Sequence, residues 1–322
     1  MPESLALDDL DRRLVHALHI DGRASFARIA AVLDTSTQTV ARRFQRLRAR
    51  AGLRVVGLAE PARSGGQQWI VRLTAAPGRA LAVGRALARR PDTSWVRLTS
   101  GGTEIVAIVR TVPDGTGDPH ALLLRDLPRT SAVTAVSAHL LLHVYQGGPA
   151  AWRGRASALS PDQVAALRPG WDEGQEAGLD GADRALLAVL HRDGRTPWAD
   201  LAAATGQSPA TARRRVARLR AAGLLFLDVE IDDRLYGVTA QALLWLSVAP
   251  ARLHTVAQTL AAHAEQALVA ATTGRTNLLA NVLVPTPEAL HRYLTEQLAL
   301  PAVTAVETAP VLRTLKSAGP VA

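Results

Sequence analysis

The stretches "TVARRFQRLRARAGL" at Thr39–Leu53 and "TARRRVARLRAAGL" at Thr211–Leu224 are nearly the same text. Both are rich in arginine, contain no acidic residue and end in "GL". Apolar residues recur in both at helical spacing, so each stretch predicts an amphipathic helix with one basic face. The occurrence of this helix twice indicates a longer internal repeat.

The repeat extends well beyond these helices. A shift of 172 positions aligns Asp11–Ala49 with Asp183–Ala221 without a gap, and 19 of the 39 positions are identical. The block "DGR" occurs in both copies, at Asp21–Arg23 and at Asp193–Arg195. The sequence is therefore a duplication whose unit is about half of the chain.

Each aligned block has the pattern of three short helices. In the first block, Leu10, Leu14 and Leu18 mark the first helix at i, i+4 and i+8 spacing, and in the two blocks Ser36 and Ser208 are placed as caps of the third helices. The first copy of the third helix ends at Gly52, and the second has Pro209 at its first position. The β-like runs "LRVVGLAE" and "LLFLDVEID" follow, and we interpret each block as a winged helix-turn-helix.

After each block the pattern changes to alternating strands and helices in the order βαββαβ, which is the ferredoxin-like arrangement. The sequence thus predicts an α+β protein by internal duplication, with two winged helix-turn-helix domains each followed by a ferredoxin-like domain. The segment at 147–178 is rich in Gly, Pro and Ala and predicts a linker with one short helix, "SPDQVAAL". The predicted winged helix-turn-helix domains are 1–63 and 178–238, and the predicted ferredoxin-like domains are 64–147 and 239–322. The predicted linker is 148–177.

Composition limits the function classes. The 322 residues carry a net charge of +9 and a pI near 11.1, which favours an acidic partner, with nucleic acid before an anionic membrane. Lys316 is the single lysine among 37 basic residues, so the chain favours Arg and the positions of the arginines must carry the argument. The absence of cysteine excludes disulfides and thiolate metal sites. Acidic residues at the N-terminus, where a signal peptide is basic, predict a cytoplasmic protein without a membrane partner.

The outward face of each third helix predicts contact with double-stranded DNA. Arginine in the major groove binds guanine O6 and N7, glutamine binds adenine N6 and N7, and flanking arginines meet phosphates. The first copy offers Gln38 and Gln45 where the second has Ala210 and Ala217. The predicted DNA-binding residues are Ser36, Thr37, Gln38, Thr39, Arg42, Arg43, Gln45 and Arg46, and Ser208, Ala210, Thr211, Arg213, Arg214, Arg215 and Arg218. The alternative is a basic face that meets only solvent.

The blocks "LDDLDRRLVHALHIDGRASFARIAAVLDTSTQTVARRFQRLRARAGL" and "LDGADRALLAVLHRDGRTPWADLAAATGQSPATARRRVARLRAAGL" both resemble the N-terminal motif of the Lrp/AsnC family of feast/famine transcriptional regulators. The βαββαβ halves look like that family's effector-binding and oligomerisation domain. The resemblance implies a sequence-specific transcriptional regulator and not an enzyme. Such a regulator needs no cofactor or metal. The resemblance also implies a homo-oligomer formed through the sheets. A tandem chain could be a pseudo-dimer by itself or pair with a second chain.

The resemblance implies that an amino acid or a related small molecule binds near the turn after the second strand of each sheet domain. The family commonly has Gly-x-x-Asp there, whereas this chain has "GGTE" at Gly101–Glu104 and "GRTN" at Gly274–Asn277. An ammonium group would meet Glu104 in the first turn and a neutral amide in the second. The implied effector-binding residues are Thr99, Gly101, Gly102, Glu104, Thr272, Gly274, Thr276 and Asn277. The alternative is that the two glycines only permit a hairpin turn.

One relative of the family is an enzyme. Siroheme decarboxylases of haem biosynthesis look like this family, and some are tandems of similar length. They need His and Arg around a tetrapyrrole cleft, and His139 and His143 are spaced to lie on one face of a strand. The Gly-Phe-Pro type of sequence after the first helix is absent here, and "DGR" stands in its place. The alternative function is a tandem enzyme of this kind.

Overall fold

The computed structural model of the chain describes residues 6–60, 63, 65–111, 118, 120–148, 152–170 and 178–321. They form two compact units, and each unit combines segments from both copies of the repeat. Unit 1 comprises Met1–Ser64 and Arg153–Gly237, and unit 2 comprises Gly65–Trp152 and Val238–Ala322. The helical blocks therefore fold together, and so do the sheet domains. The domain boundaries drawn from the sequence stay predictions.

The elements follow the order predicted from the sequence. The first copy contains α1 (Asp9–Ile20), α2 (Phe26–Leu33), α3 (Thr37–Ala51), β1 (Arg54–Ala59), β2 (Gln67–Ala75), α4 (Ala80–Ala88), β3 (Thr93–Thr99), β4 (Glu104–Thr111) and β5 (Val133–Gln146). Then come α5 (Pro161–Leu167), α6 (Gly181–Arg192), α7 (Trp198–Thr205), α8 (Pro209–Ala221), β6 (Leu225–Glu230), β7 (Ala240–Val248), α9 (Leu253–Ala261), β8 (Gln266–Thr272), β9 (Leu278–Val284), α10 (Pro287–Arg292) and β10 (Val303–Lys316). The predicted α+β class with a duplicated architecture is confirmed.

The helix boundaries in unit 1 have local causes that the sequence contains. The hydroxyl of Ser36 accepts a hydrogen bond from the backbone N–H of Thr39 at 3.0 Å and caps α3. Ser208 caps α8 in the same way through Thr211, at 3.2 Å. Gly52 ends α3 with φ +64°, a conformation that side chains with a Cβ rarely adopt. The predicted caps are confirmed.

Each three-helix block has its own apolar core. In the first block, Leu14, Leu18, Ile29 and Leu47 are almost fully buried. The second core contains the equivalent leucines of α6, α7 and α8. Because α3 and α8 each bury one apolar face in these cores, their opposite faces are left outside.

The predicted wings differ from what the structure contains. The run after each third helix is one strand, β1 or β6, and the two strands pair with each other in an antiparallel register from Arg54↔Glu230 to Ala59↔Leu225. The cause is the duplication, since each strand finds in the other copy the partner that a wing hairpin would supply within one copy. This two-stranded sheet joins the helical blocks.

The repeated "DGR" blocks form a second, reciprocal connection. Arg23 donates hydrogen bonds to the carbonyl oxygens of Gly194 (2.6 Å) and Thr196 (2.8 Å). Arg195 donates to the carbonyl oxygens of Gly22 (2.6 Å) and Ala24 (3.0 Å). Each guanidinium therefore reaches the backbone of the other copy, and we call this pair of contacts the arginine interlock.

Aromatic rings cover both arginines of the interlock. The Arg23 guanidinium lies 3.9 Å from the ring centroid of Trp198, and Arg195 lies 4.6 Å from that of Phe26, which is the equivalent residue in the first copy. Burial, followed by repulsion from Arg195 and Arg220, lowers the pKa of Arg23 to about 10. Arg23 therefore stays charged at neutral pH, and its charge strengthens the bonds to the carbonyls.

Part of the predicted linker packs in unit 1. Helix α5 forms where "SPDQVAAL" predicts it, and its Leu167 is fully buried in the core of the first block. Arg28 of α2 donates to the carbonyl oxygens of Ala166 and Arg168. Arg155 donates to the carbonyl oxygen of Val229 in β6 at 2.9 Å. Residues 149–151 and 171–177 of the predicted linker lie outside the described residues.

Unit 2 is a single sheet that closes on itself. The strand order is β10-β3-β4-β2-β5-β8-β9-β7, with β7 pairing back to β10, and all neighbours are antiparallel. Both halves follow the predicted βαββαβ order, although the first half has a π-helical turn, Leu122–Asp126, where a helix was predicted. Among the described residues, no helix has the length and apolar character needed to cross a membrane.

Strands β5 and β10 join the two halves of unit 2. Residues 133–140 of β5 pair with β2 of the first half, and residues 141–146 pair with β8 of the second. Strand β10 pairs first with β7 and then with β3. An apolar cluster that includes Ile70, Val106, Trp245 and Leu279 contains residues of both halves. Each half is therefore completed by the other.

We expect Arg23→Ala to lower the free energy of unfolding of the protein by about 2–4 kcal/mol. The variant loses two charge-assisted hydrogen bonds and leaves two carbonyl oxygens without that partner. Urea unfolding followed by far-ultraviolet circular dichroism measures the effect. The matched control is Arg42→Ala, which removes the same charge from an exposed position of α3 and should change stability by less than about 0.5 kcal/mol. Equal midpoints for the two variants would show that the interlock adds no stability.

Candidate functional site

The outward face of α3 exposes the residues that the sequence places there. Gln38, Arg42 and Gln45 are exposed, whereas Val40, Phe44 and Leu47 on the opposite face are buried. (The last three fix the rotation of the helix.) Arginine and glutamine side chains on an exposed helix face are the groups that bind guanine and adenine edges in the major groove. The geometry of α3 thus agrees with the predicted reading face.

The outward face of α8 has a different chemistry. Arg213 and Arg214 are exposed, while alanine occupies the positions equivalent to Gln38 and Gln45. A shallow pocket of about 480 Å³ lies over this face, and it is lined by Trp198, Pro209, Ala210, Arg213, Arg214 and Ala217. This face offers guanidinium groups and apolar methyl groups but no amide.

The flanking arginines of α3 are held inside the first block. Arg43 donates to Asp8 (2.7 Å) and to Asp11 (2.8 Å), and Arg46 also donates to Asp11, whose side chain is fully buried. The hydrogen bond to Asp8, together with that to Asp11, raises the pKa of Arg43 against the opposing effect of burial. For Asp8, burial opposes the shift, but the hydrogen bond from Arg43 lowers its pKa overall. These contacts attach α3 to the start of α1.

The second block repeats these ion pairs. Arg215 donates to Asp180 (2.7 Å) and to Asp183 (2.9 Å), and Arg218 donates to the buried Asp183. A backbone hydrogen bond from Asp183 and the side-chain bond from Arg215 lower the pKa of Asp180 to about 2. Sequence reasoning missed this role, although the spacing Asp-x-x-Asp at the start of the first helix of each block was a visible signal. Contact of these four arginines with DNA stays a prediction.

The cap residues predicted to meet DNA are arranged alike in the two copies. The hydroxyls of Ser36 and Thr39 lie 2.9 Å apart, and those of Ser208 and Thr211 lie 3.0 Å apart. Thr37, at the first position of α3, is exposed. The predicted DNA-binding residues therefore extend from the N-caps of α3 and α8 to the third turn of each helix, as far as Arg46 and Arg218, and their contact with DNA stays a prediction.

In the first predicted effector turn, the carboxylate already has partners. Glu104 accepts hydrogen bonds from Thr99 (2.6 Å), Ser100 (3.0 Å) and two nitrogens of Arg72 (2.6 and 2.8 Å). Both carboxylate oxygens are thus engaged, so Glu104 is arranged differently from the expected ammonium receptor. The backbone of Gly101, with φ +77°, has open space where a Cβ would lie.

Arg72 joins the two halves of unit 2. It also donates to Glu307 of β10 at 3.0 Å, and its guanidinium lies 4.5 Å from the ring centroid of Trp245. Burial opposes ionisation of Arg72, but the bonds to Glu307 and Glu104 raise its pKa overall. The same bond lowers the pKa of Glu307. Glu104 therefore belongs to a structural ion-pair network.

The second effector turn is closed by its own side chains. Asn277 donates to the carbonyl oxygen of Val248 (2.8 Å) and accepts from the N–H of the same residue (2.9 Å). Thr272 donates from its hydroxyl to the carbonyl oxygen of Thr276 at 3.2 Å. The amide that the sequence offers to an effector is therefore used to hold the turn against the end of β7.

His139 occupies the space beside Gly274. A Cβ placed on Gly274, which has φ +111°, would lie 2.4 Å from Nδ1 of His139. That nitrogen is 2.8 Å from the carbonyl oxygen of Thr273, and the ring lies 5.7 Å from that of Trp245. The first turn has no equivalent, because Ala309 stands in β10 where β5 has His139. The two predicted effector turns are thus unlike: one is open and one is filled.

The expectation that His139 and His143 share one strand face is wrong. The pairing of β5 with β8 shifts register between Leu141 and His143, and such an irregularity interrupts the alternation of faces. His143 packs on Tyr145 at 4.5 Å between ring centroids, and the Tyr145 hydroxyl lies 3.2 Å from Nδ1 of His254 in α9. The two imidazoles therefore have different neighbours.

Comparison with protein families matches both units. A model of the AsnC-type helix-turn-helix domain matches residues 7–48 and again 179–220. A model of the Lrp/AsnC ligand binding domain matches residues 241–321. Together the matched residues make up just over half of the chain.

Curated relatives resemble part of the chain. The HTH-type transcriptional regulator FL11 of Pyrococcus horikoshii is 28% identical over 140 residues, which are 43% of this chain and 92% of that protein. The regulatory protein AsnC of Haemophilus influenzae is 30% identical over 146 residues, which are 43% of this chain and 97% of that protein. Relatives of this kind are therefore about half as long as this chain.

A solved structure resembles the whole tandem. The siroheme decarboxylase NirDL is similar with a TM-score of 0.63 and 11% identity, over 96% of this chain and 93% of that one. A second structure of NirDL, in complex with an iron-uroporphyrin III analogue, is similar to the same degree. At this identity the likeness establishes a shared fold.

We expect Gly274→Ala to destabilise the protein by about 2–5 kcal/mol, because the new methyl group meets His139 and the backbone has positive φ. In a His139→Ala background the steric part should disappear and the cost of Gly274→Ala should fall by about 1–3 kcal/mol. Urea unfolding of the four proteins of this double-mutant cycle measures the coupling. Gly101→Ala is the matched control, since it has positive φ without a neighbour. A coupling of zero would contradict the placement of His139.

Proposed function

Because this chain belongs to the Lrp/AsnC family, we propose that it is a transcriptional regulator that binds double-stranded DNA with α3 and α8. The observation that carries the proposal is the exposed face of α3, where Gln38, Arg42 and Gln45 stand outside a helix whose other side is buried. Ion pairs of Arg43 and Arg46 with the start of α1 support it, because they fix the helix before DNA arrives.

The arginines of α3 and α8 fall into two groups, one in ion pairs and one exposed, and this supports the same function. Arg43, Arg46, Arg215 and Arg218 stabilise the two blocks through buried aspartates. Arg42, Arg213 and Arg214 are exposed on the reading faces. We therefore assign base and phosphate contacts first to these exposed residues and to the two glutamines, and we assign the flanking arginines a positioning role.

The match of 241–321 to a ligand-binding domain supports a small-molecule effector, and the family resemblance favours an amino acid or a related compound. We propose the first turn as its site, because the backbone at Gly101 is open, whereas His139 fills the space beside Gly274. The closed sheet of unit 2 joins both halves of one chain, so a chain has the internal pairing of a pseudo-dimer. Association of further chains and a cytoplasmic location remain part of the proposal.

We expect the purified protein to bind the DNA upstream of its own gene in preference to a scrambled duplex, with affinity that falls steeply with salt. The double variant Arg42→Ala, Arg214→Ala should bind at least tenfold more weakly, and each lost phosphate contact should make the log–log salt slope shallower by about 0.9. Fluorescence anisotropy over a salt series measures both quantities.

The matched control is Arg252→Ala, Arg292→Ala, which removes the same two charges from exposed positions in unit 2. This variant should keep the preference for the upstream duplex. Equal losses in the two double variants, or equal binding to the scrambled duplex, would mean that the basic faces only meet solvent.

A tetrapyrrole enzyme is the second candidate, and the observation that favours it is the likeness to NirDL over nearly the whole chain. Among the described residues of unit 2, the exposed His143 and His254 form a cluster with Tyr145 between them that could meet a tetrapyrrole. His139 is committed to the turn at Gly274. Imidazole and phenol groups are established iron ligands, so this cluster is where such a group would be tested first.

Titration with haemin separates the two candidates. For the regulator we expect no saturable change in the Soret band and no effect of His254→Ala on the spectrum. A saturable shift with one haemin per chain, lost in His254→Ala, would support the enzyme. The DNA measurement above is run on the same preparation, so that inactive protein is recognised.

A further inference from the structure

We propose that one chain binds one asymmetric DNA site, in which the α3 half-site specifies bases and the α8 half-site supplies mainly affinity. This inference rests on the proposed function, since it requires that the two helices bind DNA. It goes further because it states how the two halves of the operator differ and how many chains occupy them. We call the two three-helix blocks of unit 1 the reading heads, and α3 and α8 their reading helices. Three observations support the inference: the heads are joined rigidly, they belong to one chain, and the outward faces of their reading helices differ.

The joint between the heads is extensive. Strands β1 and β6 pair over six residues each, and the arginine interlock adds four hydrogen bonds between guanidinium groups and carbonyl oxygens. A Cβ on Gly22 would lie 2.8 Å from a methyl group of Val55, and one on Gly194 would lie 3.0 Å from the same group, so the turns and the sheet approach closely. The heads are therefore held in one relative arrangement.

The reading helices themselves take part in the joint. Arg220, in the last turn of α8, donates to Asp21 of the first copy at 2.8 Å. Its equivalent Arg48, in the last turn of α3, reaches Asp193 of the second copy at 3.4 Å. Each reading helix is thus tied at its C-terminal end to the other head. A rigid pair of heads engages two half-sites at a fixed spacing, as dimeric helix-turn-helix proteins do at about one helical turn.

The outward faces differ at three of the four equivalent positions. Gln38 corresponds to Ala210, Gln45 corresponds to Ala217, and Ala41 corresponds to Arg213, while Arg42 is matched by Arg214. The internal residues that position the helices are kept in both copies. The two helices therefore keep the same positioning ion pairs and present different groups on their outward faces.

The chemistry of the two faces predicts unlike half-sites. Glutamine amides form paired hydrogen bonds with adenine, so the α3 half-site should contain adenines beside a guanine bound by Arg42. The α8 face has no amide, and its alanine methyl groups offer only apolar contact, which suits a thymine methyl group. Arg214 can bind a guanine as its equivalent Arg42 can, and the additional exposed Arg213 adds phosphate attraction that is independent of sequence.

The test is a selection of duplexes from a random pool of about 20 base pairs, a length that spans two half-sites one turn apart. The full-length protein is used, and mass photometry counts chains in each selected complex. We expect a site with strong base preference in one half only, occupied by one chain. The double variant Gln38→Ala, Gln45→Ala should lose roughly ten- to a hundredfold of that preference.

A second variant is expected to gain base preference, so its result cannot be explained by loss of the folded structure. The triple change Ala210→Gln, Arg213→Ala, Ala217→Gln gives α8 the outward face of α3 at positions that are exposed or half-buried. It should bind an inverted repeat of the preferred half-site more tightly than the asymmetric site. The wild-type protein should prefer the asymmetric site.

The outcomes separate this inference from the function on which it rests. An inverted repeat selected by the wild-type protein, or two chains on each short duplex, would overturn the asymmetric site and leave the regulator intact. A pool in which no sequence is enriched would overturn the proposed function itself. Enrichment of one half, lost in the glutamine variant and doubled in the triple variant, supports the inference.

Discussion

The reciprocal contact of Arg23 and Arg195 with the backbone of the opposite copy is the constraint on which unit 1 depends. The two guanidinium groups are buried and close enough for the charge of Arg195 to lower the pKa of Arg23, so the charge of each must be stabilised by its surroundings. Carbonyl dipoles, aromatic faces and the nearby carboxylates of Asp21 and Asp193 do this. The contact is satisfied only when both blocks are folded and paired, because each block supplies the acceptors for the other.

Ion pairs on the inner side of each reading helix hold that helix in place. In a chain with 37 basic residues, an arginine-rich helix would bind any anion if its side chains were all free. The buried Asp11 and Asp183 hold two arginines of each reading helix and so set its rotation. A limited set of side chains is then left exposed in a defined order, and defined order is what distinguishes base recognition from general attraction.

Local patterns predicted most of the helices and strands, although the helix expected before β5 is a π-helical turn. Helical spacing and caps predicted α3 and α8 with Ser36 and Ser208 in place, and alternation predicted both βαββαβ orders. The pairing of strands that are far apart in the sequence could not be predicted. The sequence of β1 does not show whether its partner strand belongs to the same wing or to the second copy. Residue type alone also gave no sign of the ion pair between Glu104 and Arg72, because the two residues are 32 positions apart in the sequence.

The unlike character of the two copies follows from their being fused. In a symmetric dimer each substitution appears on both sides of the axis, so a side chain that fills one effector turn fills the other. In a tandem chain His139 lies beside Gly274 while Ala309 leaves the first turn open, and Arg72 of one half faces Trp245 at the equivalent position of the other. The reading heads show the same freedom at Gln38 and Ala210. Fusion therefore keeps the strand pairing that stabilises a dimer. It also allows the two copies to differ in the residues of their effector turns and reading helices.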